Sequence, residues 1–383
     1  NTTASFNTAV GYQSGLSNTT GTENAAFGHT ALYSNTTGDY NASFGRGSMY
    51  NNTTGANNTA IGYQALVLNT TASNNTALGY YALGANTTGA SNVAVGYLAL
   101  DANTTASFGT AIGHQALSAN TTGTQNTAVG AAALQAATTA AANTAVGYGC
   151  LGAATTGASN TAMGALALNA NTTGTRNTAV GANAGDAMTT ASYNSLFGTH
   201  AGGSITTGNV NSAFGDYALN ANTTGAQNTA VGQAALTANT TASNNTAVGY
   251  ASLLANTTGT ANVAVGAFAG DALTTGSENV AVGYNALSAE DTGVGNVAIG
   301  RNALAALNYD GSGYNTAVGY IAGAAITTGV QNTLVGGLAG DALTDADYNT
   351  TLGYAALTLD TLGSHSVAIG HDALATQNFT SAT

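Results

Sequence analysis

The sequence predicts an all-β fold: a parallel β-solenoid or β-roll in which each 17-residue unit forms one rung. Three observations lead to this fold class. A pentapeptide of the type Asn-Thr-Ala-Val-Gly recurs along all 383 residues at a spacing of 17. Every one of its 22 copies closes on glycine. Short apolar runs alternate with Asn, Thr and Gly, which are residues that favour turns.

Units are counted from Asn1, and their positions are numbered 1 to 17 in the consensus N-T-T-G-x-x-N-T-A-V-G-Y-x-A-L-x-A. Two units, which start at Glu290 and Asn308, are assigned 18 residues. We expect the inserted residue of each to lie in a loop or a bulge. The 22 units make residues 1–376 a single repeat domain, followed by a tail at residues 377–383.

Such a unit is too short for a helical hairpin, but it can hold two short strands and two turns. We place strand one at positions 7 to 10 and strand two at about positions 12 to 16. One apolar residue per strand cannot stabilise an isolated unit, so consecutive units must stack. Rungs about 4.8 Å apart would then form a rod on the order of 100 Å long.

Three positions are expected to form ladders of like residues from rung to rung: Asn at position 7, an apolar residue at position 10 and Gly at position 11. Asn side chains in such a ladder hydrogen-bond one another, and only Gly freely allows positive φ or close backbone approach. Representative ladder residues are Asn7, Val10, Gly11, Asn126, Val129, Gly130, Asn315, Val318, Gly319, Ile369 and Gly370.

Within strand one, we predict that position 10 fills the core and that position 9 faces outward. Position 9 is Ala in 18 units, which would make a narrow outer stripe of methyl groups. Such a stripe suits close approach by another chain. We therefore expect a homo-oligomer, a trimer, with a single-chain solenoid as the alternative.

Position 15 covaries with the first residue of the next unit. Position 15 is usually Leu and is then followed by a polar or small residue, whereas Gly202 is followed by Ile205 and Gly340 by Leu343. This exchange predicts one core slot per rung that either side of a corner can fill. An empty slot would cost a few kcal/mol, so the exchange favours a packed core over a disordered chain.

The composition excludes several classes of function. Charged residues are 5% of the chain, and the net charge of −12 includes only three basic residues. Nucleic-acid binding is disfavoured because phosphate contacts need Lys and Arg, and anionic membranes are disfavoured for the same reason. No apolar run reaches the ~18 residues of a membrane span. The single cysteine, Cys150, is expected to be a small packed residue.

No residue pattern indicates catalysis, so we expect neither an enzyme nor a cofactor. Three of the five histidines occupy position 12 in distant units, which cannot share a metal ion, and no metal site is predicted. Asp345, Asp347 and Asp360 are the best place to look for calcium. The Asn-Thr-Thr openings fit a turn, and they also fit N-glycosylation, with Asn18, Asn35 and Asn52 as possible acceptors. Tyr at position 12 in nine units would cover a corner or bind sugars.

Two stretches, Ser366-Val-Ala-Ile-Gly-His-Asp-Ala373 and Asn296-Val-Ala-Ile-Gly-Arg-Asn-Ala303, resemble the head repeats of trimeric autotransporter adhesins. The more common Asn-Thr-Ala-Val-Gly-Tyr form is similar to repeats of phage tail fibres and of large bacterial surface proteins with an endosialidase-type chaperone end. The resemblance implies a left-handed trimeric β-roll on a cell surface or virion. The adhesin head unit is usually shorter than 17 residues.

These observations favour a non-enzymatic extracellular fibre shaft or adhesin head, a stiff spacer with a possible host-surface or glycan ligand. One alternative is a subunit of an end-to-end extracellular filament. Another is an ice-binding solenoid that presents ladders of Thr. Adjacent Thr residues in a strand direct their hydroxyls to opposite faces, which counts against ice binding.

Overall fold

The computed structural model describes residues 3–379 of the chain. Across this range it contains 22 strands of three residues each, and no helix. The strands are β1 Thr8–Val10, β2 Ala25–Phe27, β3 Ala42–Phe44, β4 Thr59–Ile61, β5 Thr76–Leu78, β6 Val93–Val95, β7 Thr110–Ile112, β8 Thr127–Val129, β9 Thr144–Val146, β10 Thr161–Met163, β11 Thr178–Val180, β12 Ser195–Phe197, β13 Ser212–Phe214, β14 Thr229–Val231, β15 Thr246–Val248, β16 Val263–Val265, β17 Val280–Val282, β18 Val297–Ile299, β19 Thr316–Val318, β20 Thr333–Val335, β21 Thr350–Leu352 and β22 Val367–Ile369.

The chain divides into two compact halves, Asn1–Ser192 and Tyr193–Thr383. Within each half, every strand pairs in parallel with the next one along the chain, and residues at the same position lie opposite each other. In the N-terminal half Thr8 pairs with Ala25, and in the C-terminal half Ser195 pairs with Ser212. Each half is therefore a parallel β-solenoid with one repeat unit per rung, as the sequence predicts.

The faces of the strand are reversed from the prediction. At position 9, Ala60 and Ala128 point inward and have no exposed surface, whereas Ile61 and Leu78 at position 10 are 40% and 43% exposed. The reason is the narrow interior, which already holds Leu at position 15, such as the fully buried Leu134. A methyl group fits opposite that column, so the larger side chain of the strand faces out.

The second predicted strand, at positions 12 to 16, is wrong. These residues form turns, and positions 13 and 15 adopt left-handed backbone conformations, for example Ala132 at φ +57° and Leu134 at φ +50°. Such a conformation costs a non-glycine residue about 1–2 kcal/mol. Bonds between rungs offset the cost, since the Leu134 N–H donates to the carbonyl of Cys150 at 2.9 Å.

The glycines of position 11 stand in columns within each half, as predicted. Gly130 has φ +132°, and a Cβ on it would lie 2.4 Å from the carbonyl oxygen of Gly147 on the next rung. In the C-terminal half, a Cβ on Gly319 would lie 2.2 Å from the carbonyl oxygen of Gly336. Both the backbone angle and the close approach of rungs therefore require glycine.

The covariation at position 15 has a direct structural explanation. A Cβ on Gly202 would lie 2.7 Å from Cδ1 of Ile205, and one on Gly340 would lie 2.8 Å from Cδ1 of Leu343. Ile205 and Leu343 are both fully buried. The side chain of the next rung therefore occupies the volume that Leu fills elsewhere, which confirms the single core slot.

The two inserted residues lie in one turn, so the assignment of one to each of two units is wrong. Strands β18 and β19 begin at Val297 and Thr316, which are 19 residues apart rather than 17. The Asn308 N–H donates to the carbonyl of Thr327 at 2.8 Å, a bond that position 2 makes on other rungs. Leu307 therefore takes position 1, and both extra residues fall between it and Asn315. The sequence did not indicate the position of the insertion, because Asn308 has the residue type that usually occupies position 1.

Candidate functional site

An extended apolar feature of each half is the outer side of the strands, which we call the strand face and define as the side chains at positions 8 and 10. Its position 8 is mostly Thr and its position 10 is always apolar. Position 10 is never fully buried, but its exposure varies, from half-buried residues such as Val129 to 44% for Met163 in the N-terminal half and 65% for Ile369 in the C-terminal half. A continuous stripe of this kind is unusual on a monomeric protein.

The stripe is ordered because the strands are in register. Phe27 stacks on Phe44 with ring centres 4.8 Å apart and planes 6° apart. In the C-terminal half Phe197 and Phe214 repeat the same geometry at 4.8 Å. Apolar side chains one rung apart thus form a continuous row rather than scattered exposed residues.

A second exposed feature follows the glycine corner, where position 12 forms an aromatic column. Tyr63, Tyr80 and Tyr97 stack at ring distances of 5.3 Å, and His114 continues the stack at 5.2 Å. Below Tyr63 the column continues with Arg46, whose guanidinium carbon lies 5.8 Å from the Tyr63 ring centre. These rings cover the corner, as expected, and they also remain exposed.

The predicted Asn ladder at position 7 lies inside the rung rather than at a surface site. The Oδ1 of Asn126 accepts a bond from the backbone N–H of Asn143 at 3.0 Å, and its Nδ2 donates to the carbonyl of Ala140 at 2.7 Å. In the C-terminal half, Asn315 accepts from the N–H of Asn332 at 3.0 Å. Each side chain therefore bonds the backbone of the following rung, which adds to the direct amide contacts.

Position 1 forms a second Asn ladder, and it contains the three residues proposed as glycan acceptors. Asn35 and Asn52 are fully buried and Asn18 is 7% exposed. The Nδ2 of Asn52 donates to Oδ1 of Asn35 at 2.8 Å and to the carbonyl of Gly55 at 2.9 Å. A glycan bonded to that nitrogen would have to lie in the packed interior. The geometry therefore supports the turn interpretation of Asn-Thr-Thr.

Burial is the first cause of the raised pKa values of Asp101, Cys150, Asp271 and Glu290. Desolvation raises the pKa of Asp101, of Asp271 and of the Cys150 thiol, against the opposing effect of backbone hydrogen bonds. Glu290 occupies the Asn site of position 1, where desolvation also raises its pKa. Asp101 and Asp271 are each the only carboxylate of their repeat unit, whereas Glu290 lies next to Asp291, whose negative charge adds to the rise in the Glu290 pKa.

Glu290 compensates for the lengthened turn that follows it. On other rungs the Asn of position 1 accepts a bond from the next Asn side chain, but the next residue here is Leu307. The longer carboxylate instead accepts the N–H of Gly293 at 2.7 Å and reaches the N–H of Tyr309, inside the insertion, at 3.3 Å. Glu290 therefore replaces a missing side-chain bond with a backbone bond.

The acidic residues considered for calcium are held in separate bonds. Asp347 accepts the N–H of Val330 at 2.8 Å, Asp360 accepts the N–H of Gly363 at 3.0 Å, and Asp345 accepts the hydroxyl of Thr328. Between residues 3 and 379, no three His, Cys, Asp or Glu residues come close enough together to hold a metal ion.

The formal charge differs between the halves. Residues 1–192 carry four acidic and two basic residues, for a formal charge of −2. Residues 193–383 carry eleven acidic residues and one Arg, for a formal charge of −10. The N-terminal half is therefore nearly neutral, and an acidic ligand would meet little repulsion there.

Comparisons with known proteins do not add to this description. No protein-family model and no curated protein sequence matches the chain. Over the range that the structure describes, no helix is long and apolar enough to cross a bilayer.

The sequence reasoning missed the outward strand face, although a signal for it was present. Leu at position 15 and Ala at position 14 already supply one large and one small interior residue per rung. A second large residue at position 10 exceeds what a narrow interior can hold. Counting side-chain volume per rung would therefore have placed position 10 outside.

Proposed function

We propose that the chain is a non-catalytic structural element of an extracellular fibre, a stiff spacer whose copies associate side by side through the strand face. The observation that carries this proposal is the apolar stripe at position 10, whose side chains are exposed or half-buried on every rung of each half. Charged residues are only 5% of the chain, so few charges oppose contact between copies. The Ala stripe predicted to make this contact is buried, and position 10 takes its place.

The energy available from the stripe is of the same order as the cost of association. Full burial of a Val, Leu, Ile or Phe side chain is worth about 1.5–3 kcal/mol. In the N-terminal half, six of the position 10 side chains are exposed by 36% to 55%, the values for Phe44 and Val10, and the other five are half-buried. Eleven strands in the N-terminal half would thus contribute on the order of 10 kcal/mol. That is comparable with the about 4–15 kcal/mol that association costs. Many weak equal contacts, rather than a few strong ones, would hold the copies together.

Stiffness would come from the bonds between rungs. Backbone bonds link the turns as well as the strands, for example Ser34 N–H to the carbonyl of Tyr50 at 3.0 Å. The two buried Asn ladders add side-chain bonds on nearly every rung. A segment with bonds around its whole perimeter bends little and presents few open backbone sites to a protease.

The test compares two triple variants that carry the same added charge on alternate rungs. One places Lys on the strand face, and the other places Lys at exposed position 3. The substitutions are Val95→Lys, Val129→Lys and Met163→Lys on the strand face, and Thr88→Lys, Thr122→Lys and Thr156→Lys in the control. Light scattering on a sizing column would measure the mass. We expect a mass above the 37.1 kDa of one chain for the native protein and the control, and 37.1 kDa for the strand-face variant.

Either of two results would contradict the association. One is that the native protein has the mass of one chain even at high concentration. The other is that the strand-face variant keeps the mass of the native protein. A cooperative thermal transition in every variant is the check that the rungs remain folded. Because the control adds the same three charges, a loss of mass in the strand-face variant alone would locate the contact.

The strand face also supports a second candidate, binding to the surface of ice. The adjacent Thr residues of positions 2 and 3 are not suited to ice, because the position 2 hydroxyl bonds within the protein. Thr36 Oγ1, for example, donates to the carbonyl of Thr53 at 3.1 Å. Positions 8 and 10, however, share one flat face, so Thr59 lies beside Ile61 and the pair repeats at the spacing of strands. Thermal hysteresis by the native single chain would support this candidate, and its absence would remove it.

A further inference from the structure

A notch interrupts the surface beside the aromatic column in the N-terminal half. Position 13 forms the floor of a groove between the side chains of positions 12 and 16. That floor residue is glycine on only two rungs of the sequence, at Gly47 and Gly149. Gly47 has φ +67°, and the missing side chain opens a cavity of about 240 Å³ that includes Arg46, Tyr50, Tyr63 and Gln64 in its lining. We call this cavity the Arg46 notch.

Arg46 is one of only three basic residues in the chain. Its side chain is exposed at the rim, with the guanidinium carbon 5.8 Å from the centre of the Tyr63 ring. No carboxylate of residues 3–379 lies within ion-pair distance of it. The two acidic residues nearest in sequence, Glu23 and Asp39, occupy positions 6 and 5, which precede the strand, whereas Arg46 follows it. The five N–H donors of the guanidinium are therefore available to an acidic ligand.

Two tyrosine rings in the lining are held in place by stacking. Tyr50 stacks on Tyr33 at 4.8 Å with planes 4° apart. Tyr63 stacks on Tyr80 at 5.3 Å with planes 6° apart. Rings fixed on neighbouring rungs lose little freedom when a ligand binds, which favours even a small occupant. Gln64, on the floor of the next rung, adds an amide with both donor and acceptor atoms.

We propose that the Arg46 notch binds one acidic sugar ring, a pyranose that carries a carboxylate. The guanidinium matches the carboxylate with paired hydrogen bonds, the tyrosine rings offer an apolar and a hydroxyl-bearing surface to the sugar, and Gln64 bonds a ring hydroxyl. The cavity is smaller than the about 300–1,000 Å³ of sites for drug-sized molecules, so it suits one ring. The formal charge of −2 on this half leaves little repulsion.

This site does not depend on the association of copies. The strand face ends at position 10, whereas the notch is built from positions 12, 13 and 16 beyond the glycine corner. One ring in a shallow notch would bind weakly, with a dissociation constant on the order of 1 mM. Attachment to an acidic polysaccharide would gain strength only when several copies present the notch together.

The test uses three probes that differ at one substituent: D-glucuronate, D-glucose and D-glucose 6-sulfate. Saturation-transfer NMR and titration calorimetry on the full chain would measure binding. We expect D-glucuronate to bind at least about tenfold more tightly than D-glucose, because charged hydrogen bonds are worth about 1.5–3 kcal/mol. Equal binding of glucose would overturn the proposal. If D-glucose 6-sulfate binds as tightly as D-glucuronate, the preference for a carboxylate is overturned.

Two variants remove separate parts of the notch and use residues that the chain already has at the same positions. Arg46→Gln copies Gln233 at position 12 and should weaken glucuronate at least about tenfold. Gly47→Gln copies Gln64 and Gln115, which adopt φ +51° and +53° at position 13, and it should abolish binding by filling the cavity. A cooperative melt of each variant confirms the fold. Binding that survives Gly47→Gln would refute the notch as the site.

Arg301 provides the matched control. It also lies at position 12 between tyrosines, with its guanidinium carbon 5.9 Å from the Tyr284 ring centre and 5.8 Å from that of Tyr320. Its floor residue is Asn302 rather than glycine. Arg301→Gln should therefore leave glucuronate binding unchanged. An equal loss in Arg46→Gln and Arg301→Gln would mean that charge alone attracts the sugar, and it would overturn the proposed site.

Discussion

Moving a leucine side chain from one side of a corner to the other should leave the core filled. Leu134 is fully buried at position 15, and the next unit opens with Ala137, which is also fully buried. Leu134→Gly combined with Ala137→Ile reproduces the arrangement of Gly202 and Ile205. Ala137 already interrupts the Asn ladder of position 1, so the exchange removes no side-chain hydrogen bond.

The expected magnitudes follow from the packing. Truncation of a buried Leu to Ala costs about 2–5 kcal/mol, and Gly at the left-handed φ of +50° at residue 134 recovers about 1 kcal/mol. Leu134→Gly alone should therefore cost about 2–4 kcal/mol. Ala137→Ile alone overpacks the slot and should cost about 1–3 kcal/mol. The double variant should return to within about 1 kcal/mol of the native chain, a coupling well above the range for independent sites.

Hydrogen exchange measures this effect rung by rung, which suits a repeat fold whose stability is a sum over its units and the interfaces between them. The reporter is the Leu134 amide, which donates to the Cys150 carbonyl at 2.9 Å. Leu134→Gly should lower protection in this rung about a hundredfold, and the double variant should restore most of it. The same exchange at Leu151 and Ala154 gives an independent repeat. If the double variant is no better protected than Leu134→Gly, the shared core slot is refuted.

Three further outcomes test other columns. Gly130→Ala should cost at least about 3 kcal/mol, because φ +132° is essentially restricted to glycine and the new Cβ would meet the Gly147 carbonyl; a melting temperature equal to the native one would contradict this. Asn126→Ala should cost about 1–3 kcal/mol by leaving the Asn143 N–H unpaired, measured by exchange at that amide. Asp101→Asn should stabilise the chain at neutral pH, because the raised pKa of Asp101 makes ionisation unfavourable in the fold. The gain should be absent below the ordinary pKa of 3.8, grow as pH rises from there towards the raised pKa, and level off above it, as melting curves against pH would show.

The sequence predicted the stacking of rungs, the glycine columns and the core slot, because each rests on a residue type with no substitute. Gly130 needs its backbone freedom, and Ile205 needs the space that Gly202 leaves. Which side chains of the strand face the interior could not be deduced in the same way. In a strand of three residues, alternation alone does not say whether Ala60 or Ile61 points inward. That choice depends on the width of the interior, which other parts of the rung set.

The turns were less predictable for a related reason. Leu134 sits at φ +50°, a conformation that its own preferences oppose, and bonds to the neighbouring rung impose it. Propensity describes an isolated residue, so it cannot reveal strain that stacking compensates. The Arg46 notch was missed because it depends on a glycine at a position that otherwise varies. The two exceptions at position 13, Gly47 and Gly149, were the available signal.

The bonds between rungs run along the stacking direction, and this gives the fold a characteristic response to tension. Pulling a half from its ends loads those bonds, and a rung that detaches becomes slack chain. Seventeen extended residues replace one rung spacing, so each release would lengthen the tether by roughly 55 Å. The 19-residue turn after β18 would release slightly more, roughly 60 Å. A protein built this way would extend in small steps of similar length under load, and each released rung would dissipate part of the applied energy.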